Sequence, residues 1–420
     1  MKQFIIIGNS AAGIAAVEAI RKIDKTSKIT VISDEEYSSY CRCLISYYLA
    51  GDIKEDKILY RPESFYKENN VELLLNKKVS RVDSKKNRII CADKTQASYD
   101  SLLIATGSSP KFPEISGIKK TGVFGFRTIK DVKDIAGLVP VTKSAVVLGG
   151  GLIGLKAAYA LKKRNIDVKV IIKSKQVLSQ VLDFEAAELV RKRLEENGIE
   201  VILGQDVAEV IGEGEIKAVK LDSGKAIAAS LIVVAKGVKP NIDLVKDTEI
   251  KVKEGIIADN NLQASIPNIY AAGDAAETFD LTLGESTINA FWPMAVEQGR
   301  IAGANMAGSR IGYEGSLGMN SLEFFGLPTV SLGLFKPKNP EDYEEIKIKD
   351  LKENLYKKLL LKDNRLVGAV FTGKINNSGV FLRLIREKID VSAFKDKLLE
   401  ENFGFPDVID LVKDKEQIYV

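Results

Sequence analysis

Two cysteines flank an arginine in the segment SSYCRCLISYYLAG, residues 38–51, and the chain contains no histidine. A thiol acts as a nucleophile or redox group only as the thiolate, and a neighbouring cation or hydrogen-bond donor is what makes the thiolate available. Arg42 supplies such a cation between Cys41 and Cys43. The C-x-C spacing argues against a disulfide within a helical segment, because residues two apart on a helix point to opposite sides and a disulfide needs converging side chains. Cys43 is the candidate redox thiol. Cys41, and Cys91 at the end of the strand-like run RIIC, read as small buried hydrophobes.

A second chemistry lies in two glycine turns. FIIIG (Phe4 to Gly8) is a buried-strand run that passes into a helix from about Ala12 to Arg21, followed by the strand KITVIS, residues 28–33. The same strand, glycine turn, helix and strand return over residues 144–173, where Gly149, Gly151 and Gly154 complete a G-x-G-x-x-G. The first copy runs Gly8-Asn9-Ser10-Ala11-Ala12-Gly13, with Ser10 at the middle glycine's place. A helix N-terminus presents unpaired N–H groups and partial positive charge, which suits a pyrophosphate, and glycines let the backbone approach it. One such turn also occurs for packing reasons alone; two in this order point to two bound dinucleotides.

The rest of the chain must position these turns. At 420 residues and 45% hydrophobic it can bury cores for two or three domains. With 61 basic and 57 acidic side chains, the net charge of +4 is too small to argue for nucleic acid, though it permits an acidic protein partner. The N-terminal apolar run is too short for a signal peptide, and no stretch approaches the roughly 20 apolar residues of a membrane span. Three cysteines make no disulfide scaffold, so a cytoplasmic location is expected. Near the C-terminus, LYKKLLLKDNRLVGAVFTG (Leu355 to Gly373) predicts two strands joined at Asp363-Asn364, then an amphipathic helix at about Gly379 to Lys388.

Three further stretches, YDSLLIATGSSP (residues 99–110), VVAKGVKPNIDL (233–244) and IPNIYAAGDAAE (266–277), stand in an order that resembles the FAD/NAD(P)-dependent pyridine nucleotide-disulfide oxidoreductase superfamily. Within it, GGGLIGL, FWPMAVEQGRIAGANMAG and YCRCLIS resemble NADH:rubredoxin reductases and the flavin subunit of nitrite reductases, whose corresponding block reads Y-x-R-P-x-L-S. The resemblance implies an α/β fold with two Rossmann-like dinucleotide-binding domains and a C-terminal α+β domain. Residues 1–110 and 244–313 would bind FAD, 111–243 would bind NAD(P)H, and 314–420 would form a dimer interface or a docking surface.

Residue by residue, the resemblance has Gly8, Ser10, Ala11 and Gly13 cradle the FAD pyrophosphate, and Asp34 hold the adenosine ribose. Arg42 and Arg127 would approach the phosphates or ring, Thr106 and Gly107 would line the cofactor, and Asp274, after Gly273, would accept a ribityl hydroxyl at a helix N-terminus. Trp292 and Pro293 would wall the flavin ahead of a helix from about Met294. Gly149, Gly151, Gly154 and Gly237 would serve the nucleotide, with Leu152 where many relatives place a shielding tyrosine. Ile172 stands at the usual acidic position, and Lys173 and Lys175 after it suit a 2′-phosphate or are a solvated edge.

Two readings of Cys43 stay open. Aligned with single-cysteine NADH oxidases, NADH peroxidases and coenzyme A-disulfide reductases, it falls on their redox cysteine; aligned with rubredoxin reductases, it falls on a proline. The oxidases and peroxidases carry a histidine where this chain has Ala11, and dithiol reductases use a histidine as the thiol's acid–base partner. Electron transfer through flavin needs neither. The expected activity is exchange of electrons between NAD(P)H and a small iron–sulfur protein of rubredoxin or ferredoxin type. The alternatives are a single-cysteine reductase or oxidase using Cys43, and an NAD(P)H-binding redox sensor.

Overall fold

Runs of consecutive aliphatic residues leave no polar face, so they settle in sheets covered on both sides. The computed structural model describes residues 1–411 and contains two such sheets. In the first, five parallel strands lie in the order Ile269–Ala271, Ser101–Ile104, Gln3–Ile7, Lys28–Ile32, Val71–Leu74. The second runs Ile199–Leu203, Asp167–Ile172, Ser144–Leu148, Leu231–Val234, Val123–Phe124, also parallel. In each, the strand that enters a glycine turn is central and flanked by strands reached in opposite directions. The turn therefore opens onto the crevice at the carboxyl edge of the sheet.

Helix α1 (Ala11–Ile23) leaves the first turn and α2 (Leu152–Lys163) the second. Helix α3 (Trp292–Met306) crosses α1 at backbone contact: a Cβ on Gly299 would stand 2.1 Å from the Ala12 carbonyl oxygen, and one on Gly303 2.5 Å from that of Ala16. This crossing fixes the first turn against α3, and the sequence reading did not single out either glycine.

The C-terminal segment forms an antiparallel sheet in the order Met319–Phe324, Leu327–Gly333, Arg365–Thr372, Leu355–Lys362, Glu344–Asp350. Asp363 and Asn364 take the left-handed values (φ 50° and 55°) that a two-residue hairpin turn requires, at the expected place. Helix α4 (Ser378–Arg386) covers one face through Phe381, Leu384 and Ile385. Phe324, Leu327, Tyr356 and Val370 share a core with Leu155 and Leu189 of the second unit. At that junction the Tyr356 hydroxyl donates to Asp183 at 2.7 Å, and Lys358, 8% exposed, pairs with Asp183 at 3.2 Å and Glu345 at 2.8 Å. Arg386 reaches Glu297 of α3 at 2.5 Å. The outer strand Glu344–Asp350 is charged and exposed, which protects it from pairing with another edge. Among the described residues no helix is long and apolar enough to cross a membrane.

Candidate active site

The two glycine turns are built alike. Gly8 (φ +123°) and Gly149 (φ +116°) pass so close to the neighbouring strand's end that a Cβ would lie 2.0 Å from the Ala105 oxygen and 2.3 Å from that of Ala235. A Cβ on Gly13 or Gly154 would likewise stand 2.0 or 2.1 Å from the carbonyl oxygen of Gly8 or Gly149. The chain's own contacts thus demand the first and last glycines. The middle position differs: Gly151 opens onto free space, and Ser10 holds the N-cap place of α1 without capping it. The donors at both helix starts face the crevices, with Ala11 and Leu152 as the first helical residues.

A polar chain connects three distant segments beside the first turn. The Arg127 guanidinium donates to Asp274 at 2.5 Å, and the Ser108 hydroxyl donates to the same carboxylate at 2.7 Å. Arg127 precedes a capping box in which Thr128 and Asp131 fix the start of the helix Ile129–Leu138, and its own N–H donates to Asp131 at 2.9 Å. Its Nε is buried without a partner. Arg42 donates to the Arg127 carbonyl at 3.0 Å and to the Tyr40 hydroxyl at 2.9 Å, and pairs with Glu35. Tyr40 in turn donates to Glu35 at 2.5 Å and accepts the Ile129 N–H at 3.0 Å; burial pushes its phenol up and keeps it protonated. Arg42 thereby braces the segments carrying Glu35, Tyr40 and Arg127.

Asp274 lies in a short 3₁₀ turn, Gly273–Ala275, followed by a strand and not by an α-helix, so the expected helix N-terminus is absent there and the carboxylate is held by Arg127 and Ser108 instead. The buried Gln298 carboxamide accepts the Gly273 N–H at 2.8 Å and fixes this turn to α3. Helix α3 begins at Trp292, two residues before the expected start, and the indole meets Tyr60 edge-on at 5.0 Å. Thr106 and Asn241 bind each other's backbone carbonyls at 2.7 and 3.0 Å, closing the crossing between the two sheets beside Gly107 and Gly237, both at positive φ. Ser108, Asn241 and Gln298 lie inside the stretches that carry the family resemblance, yet none of them was singled out, because their partners are far away in sequence.

Asp34 is exposed just past the strand Lys28–Ile32. Lys173 and Lys175 are exposed just past Asp167–Ile172, and neither makes an ion pair among the described residues. At the same strand end Gln205, whose N–H donates to the Ile172 carbonyl at 3.3 Å, has a buried side-chain oxygen with no partner.

The cysteines depart from the expectation. Arg42–Leu44 is a 3₁₀ turn leading into the helix Ile45–Ala50, but Cys41 is its N-cap, with extended backbone (φ −81°, ψ 106°). Because Cys41 lies outside the helix, the divergence expected of two residues within one does not apply to the pair. The Cys41 thiol is pulled down to about 7, first by the neighbouring Cys43 thiol, and further by the amides of Cys43 and Leu44, neither of which makes a full cap bond to the sulfur. The neighbouring Cys41 and burial push the Cys43 thiol up. Cys43 is exposed and Cys41 half-buried; Cys91 is buried in an apolar cluster, as its sequence predicted.

Residues 2–299 match the pyridine nucleotide-disulphide oxidoreductase family. The chain belongs to that family. Residues 319–389 match the rubredoxin NAD+ reductase C-terminal domain. An NADH oxidase of Methanocaldococcus jannaschii is 41% identical over 313 residues, covering 72% of this chain and 70% of that protein. A nitrite reductase [NAD(P)H] of Bacillus subtilis is 34% identical over 93% of this chain, which spans 48% of that relative's length. Among solved structures, an NAD-dependent persulfide reductase from A. fulgidus superposes with a TM-score of 0.87 at 28% identity, over 93% of this chain and 78% of that one. The chain is an NAD(P)H-dependent flavoprotein oxidoreductase whose cofactors are FAD and NAD(P)H. The orphaned Arg127 Nε, the uncapped Ser10 and the open space at Gly151 fit two such nucleotides.

Proposed function

We propose that the chain exchanges electrons between a nicotinamide nucleotide and a small iron–sulfur carrier protein of rubredoxin or ferredoxin type. The observation that carries this reading is the C-terminal sheet, similar to the rubredoxin NAD+ reductase C-terminal domain and packed against the nucleotide-binding units. Bound FAD supplies the means of taking two electrons from a nicotinamide and releasing them singly. In this reading Gly8, Ser10, Ala11 and Gly13 hold the FAD pyrophosphate, Asp34 its ribose, and Thr106, Gly107, Arg127, Gly273 and Asp274 its ribityl and ring portions. Gly149, Gly151, Leu152, Gly154 and Gly237 receive the nicotinamide nucleotide. Trp292 borders the ring. Positioning is the main requirement for such a transfer, and a site in a histidine-free chain meets it without a protein acid.

Charge supports docking at one groove of the C-terminal domain. Lys358 belongs to the junction with the second unit, whereas Lys362, Arg365 and Lys388 border a groove with Leu281 and Leu317, and none of the three makes an ion pair among the described residues. Replacing these three with alanine should lower the second-order rate with an acidic rubredoxin or ferredoxin about tenfold at low salt, with the difference shrinking as salt rises. The check is stopped-flow reduction of each carrier against ionic strength. Wild-type rates no faster than free flavin, or unaffected by salt, would reject the carrier reading.

A second reading is favoured by the exposed Cys43 beside Arg127 and by the 28% identity to a persulfide reductase: a sulfur substrate reduced at this thiol. Cys43→Ala separates the two, since carrier reduction within a few-fold of wild type fits the first and a hundredfold loss fits the second.

The nucleotide preference rests on Lys173 and Lys175. If they bind a 2′-phosphate, the double alanine variant should lose about 1–3 kcal/mol of NADPH binding and keep NADH binding. Steady-state kinetics with both nucleotides checks this, and equal kinetics before and after substitution would reject it.

A further inference from the structure

Behind the Gly273–Ala275 turn, polar side chains from separate segments meet where an unpaired group is costly: Gln298 of α3, Thr278, Tyr313 and Ser316 are each 4% exposed or less. The Gly273 N–H can only donate, and it takes the Gln298 carboxamide oxygen at 2.8 Å. The amide protons are thereby turned towards the hydroxyl oxygens of Thr278 at 3.2 Å, Tyr313 at 3.3 Å and Ser316 at 3.5 Å. Tyr313 and Ser316 share a hydroxyl–hydroxyl bond of 2.8 Å, and Ser316 and Thr278 one of 3.2 Å. Tyr313 also reaches the Met294 sulfur at 3.8 Å, in the first turn of α3. Burial pushes its phenol up and keeps the proton for these bonds.

One member of the set also builds the groove beside Lys362, Arg365 and Lys388. The Ser316 carbonyl accepts the Leu281 N–H at 2.9 Å, and the Ser316 N–H donates to the Phe279 carbonyl at 2.8 Å. Leu281 and Leu317, the residue after Ser316, line the groove. We propose that Gln298, with the hydroxyls of Tyr313, Thr278 and Ser316, ties the groove wall to the Gly273–Ala275 turn, so that FAD held at the turn orders the groove. A ligand that orders one end of a stiff, fully bonded set lowers the cost of ordering the other, and the effect is reciprocal: a partner seated in the groove tightens the hold on FAD. This rests on the reading that Gly273 and Asp274 hold the flavin, and not on the identity of the electron carrier.

Hydrogen–deuterium exchange of the full chain, with FAD bound and after its removal, tests the link, with the helix Phe184–Glu196 of the second unit as internal reference. Relative to that helix, removing FAD should speed exchange at residues 272–276 and, by about tenfold, in the wall peptides 279–283 and 314–318. In the Gln298→Met protein, which keeps an unbranched side chain of similar size, the wall peptides should exchange equally fast with and without FAD. A residue that only fills space would leave the FAD-dependent difference in place, and that result would overturn the proposal. The Tyr313→Phe protein keeps the ring and should show a smaller difference than the wild type, with the Thr278 route remaining. Wild-type wall peptides that ignore FAD while residues 272–276 respond would overturn the link and leave the flavin site standing; no response at residues 272–276 would overturn both. The wild-type comparison decides even if a variant fails to fold.

Discussion

The Asp274→Ala protein should purify with little FAD. Its carboxylate holds both Arg127 and Ser108, and the pair is largely shielded, with the Arg127 and Asp274 side chains 20% and 11% exposed. Removing the acid leaves a guanidinium whose Nε already lacks a partner without its ion pair. Breaking such a pair costs about 3–5 kcal/mol, because the remaining charge stays partly desolvated. The segment that bears Arg127 is braced to Arg42 through the Arg127 carbonyl, so the disturbance reaches the turn carrying the cysteines as well. If the loss falls on the cofactor-binding conformation, FAD affinity drops about a hundred- to several-thousandfold. Visible flavin absorbance per protein, followed by FAD titration of the stripped protein, measures it. Full FAD content with unchanged affinity would show that Asp274 only braces Arg127.

Gly299→Leu should destabilise the fold by about 3 kcal/mol or more, since overpacking of this size must push apart backbones already in contact. The Cβ alone would sit 2.1 Å from the Ala12 oxygen, in α1 directly after the first glycine turn. Flexible side chains cannot absorb that clash. Helix α3 would have to tilt, and with it Gln298, which fixes the Gly273–Asp274 turn. Gly137→Ala is the matching control: it lies inside a helix, its Cβ would meet nothing within 4 Å, and it should stabilise by up to about 1 kcal/mol by restricting the unfolded chain. Urea unfolding followed by circular dichroism compares the two. A Gly299→Leu midpoint equal to wild type would show that α1 and α3 can separate without loss.

The glycine turns were legible because their geometry is local. A strand, a positive-φ glycine and a helix start lie within ten residues, and each restricts the residue types allowed. The hairpin at Asp363-Asn364 was legible for the same reason. The two thiols were not. Their spacing favours divergence within a helix, and whether Cys41 lies inside the helix or just before it depends on how Tyr40 is held by Glu35, Arg42 and the Ile129 amide.

Local physics in the sequence determined the two nucleotide-binding units, the apolar central strands and the C-terminal hairpin and helix. Tertiary structure decided which side chains of distant segments meet. Gln298 is chosen by a turn 25 residues away and Ser108 by a carboxylate 166 residues away. Lys358, which reads as surface charge in a basic run, is buried between Asp183 and Glu345. A side chain's neighbours along the chain limit its backbone conformation, but its charge and hydrogen-bonding partners follow from which surfaces the folded chain brings together, and those are known only once the sheets have packed.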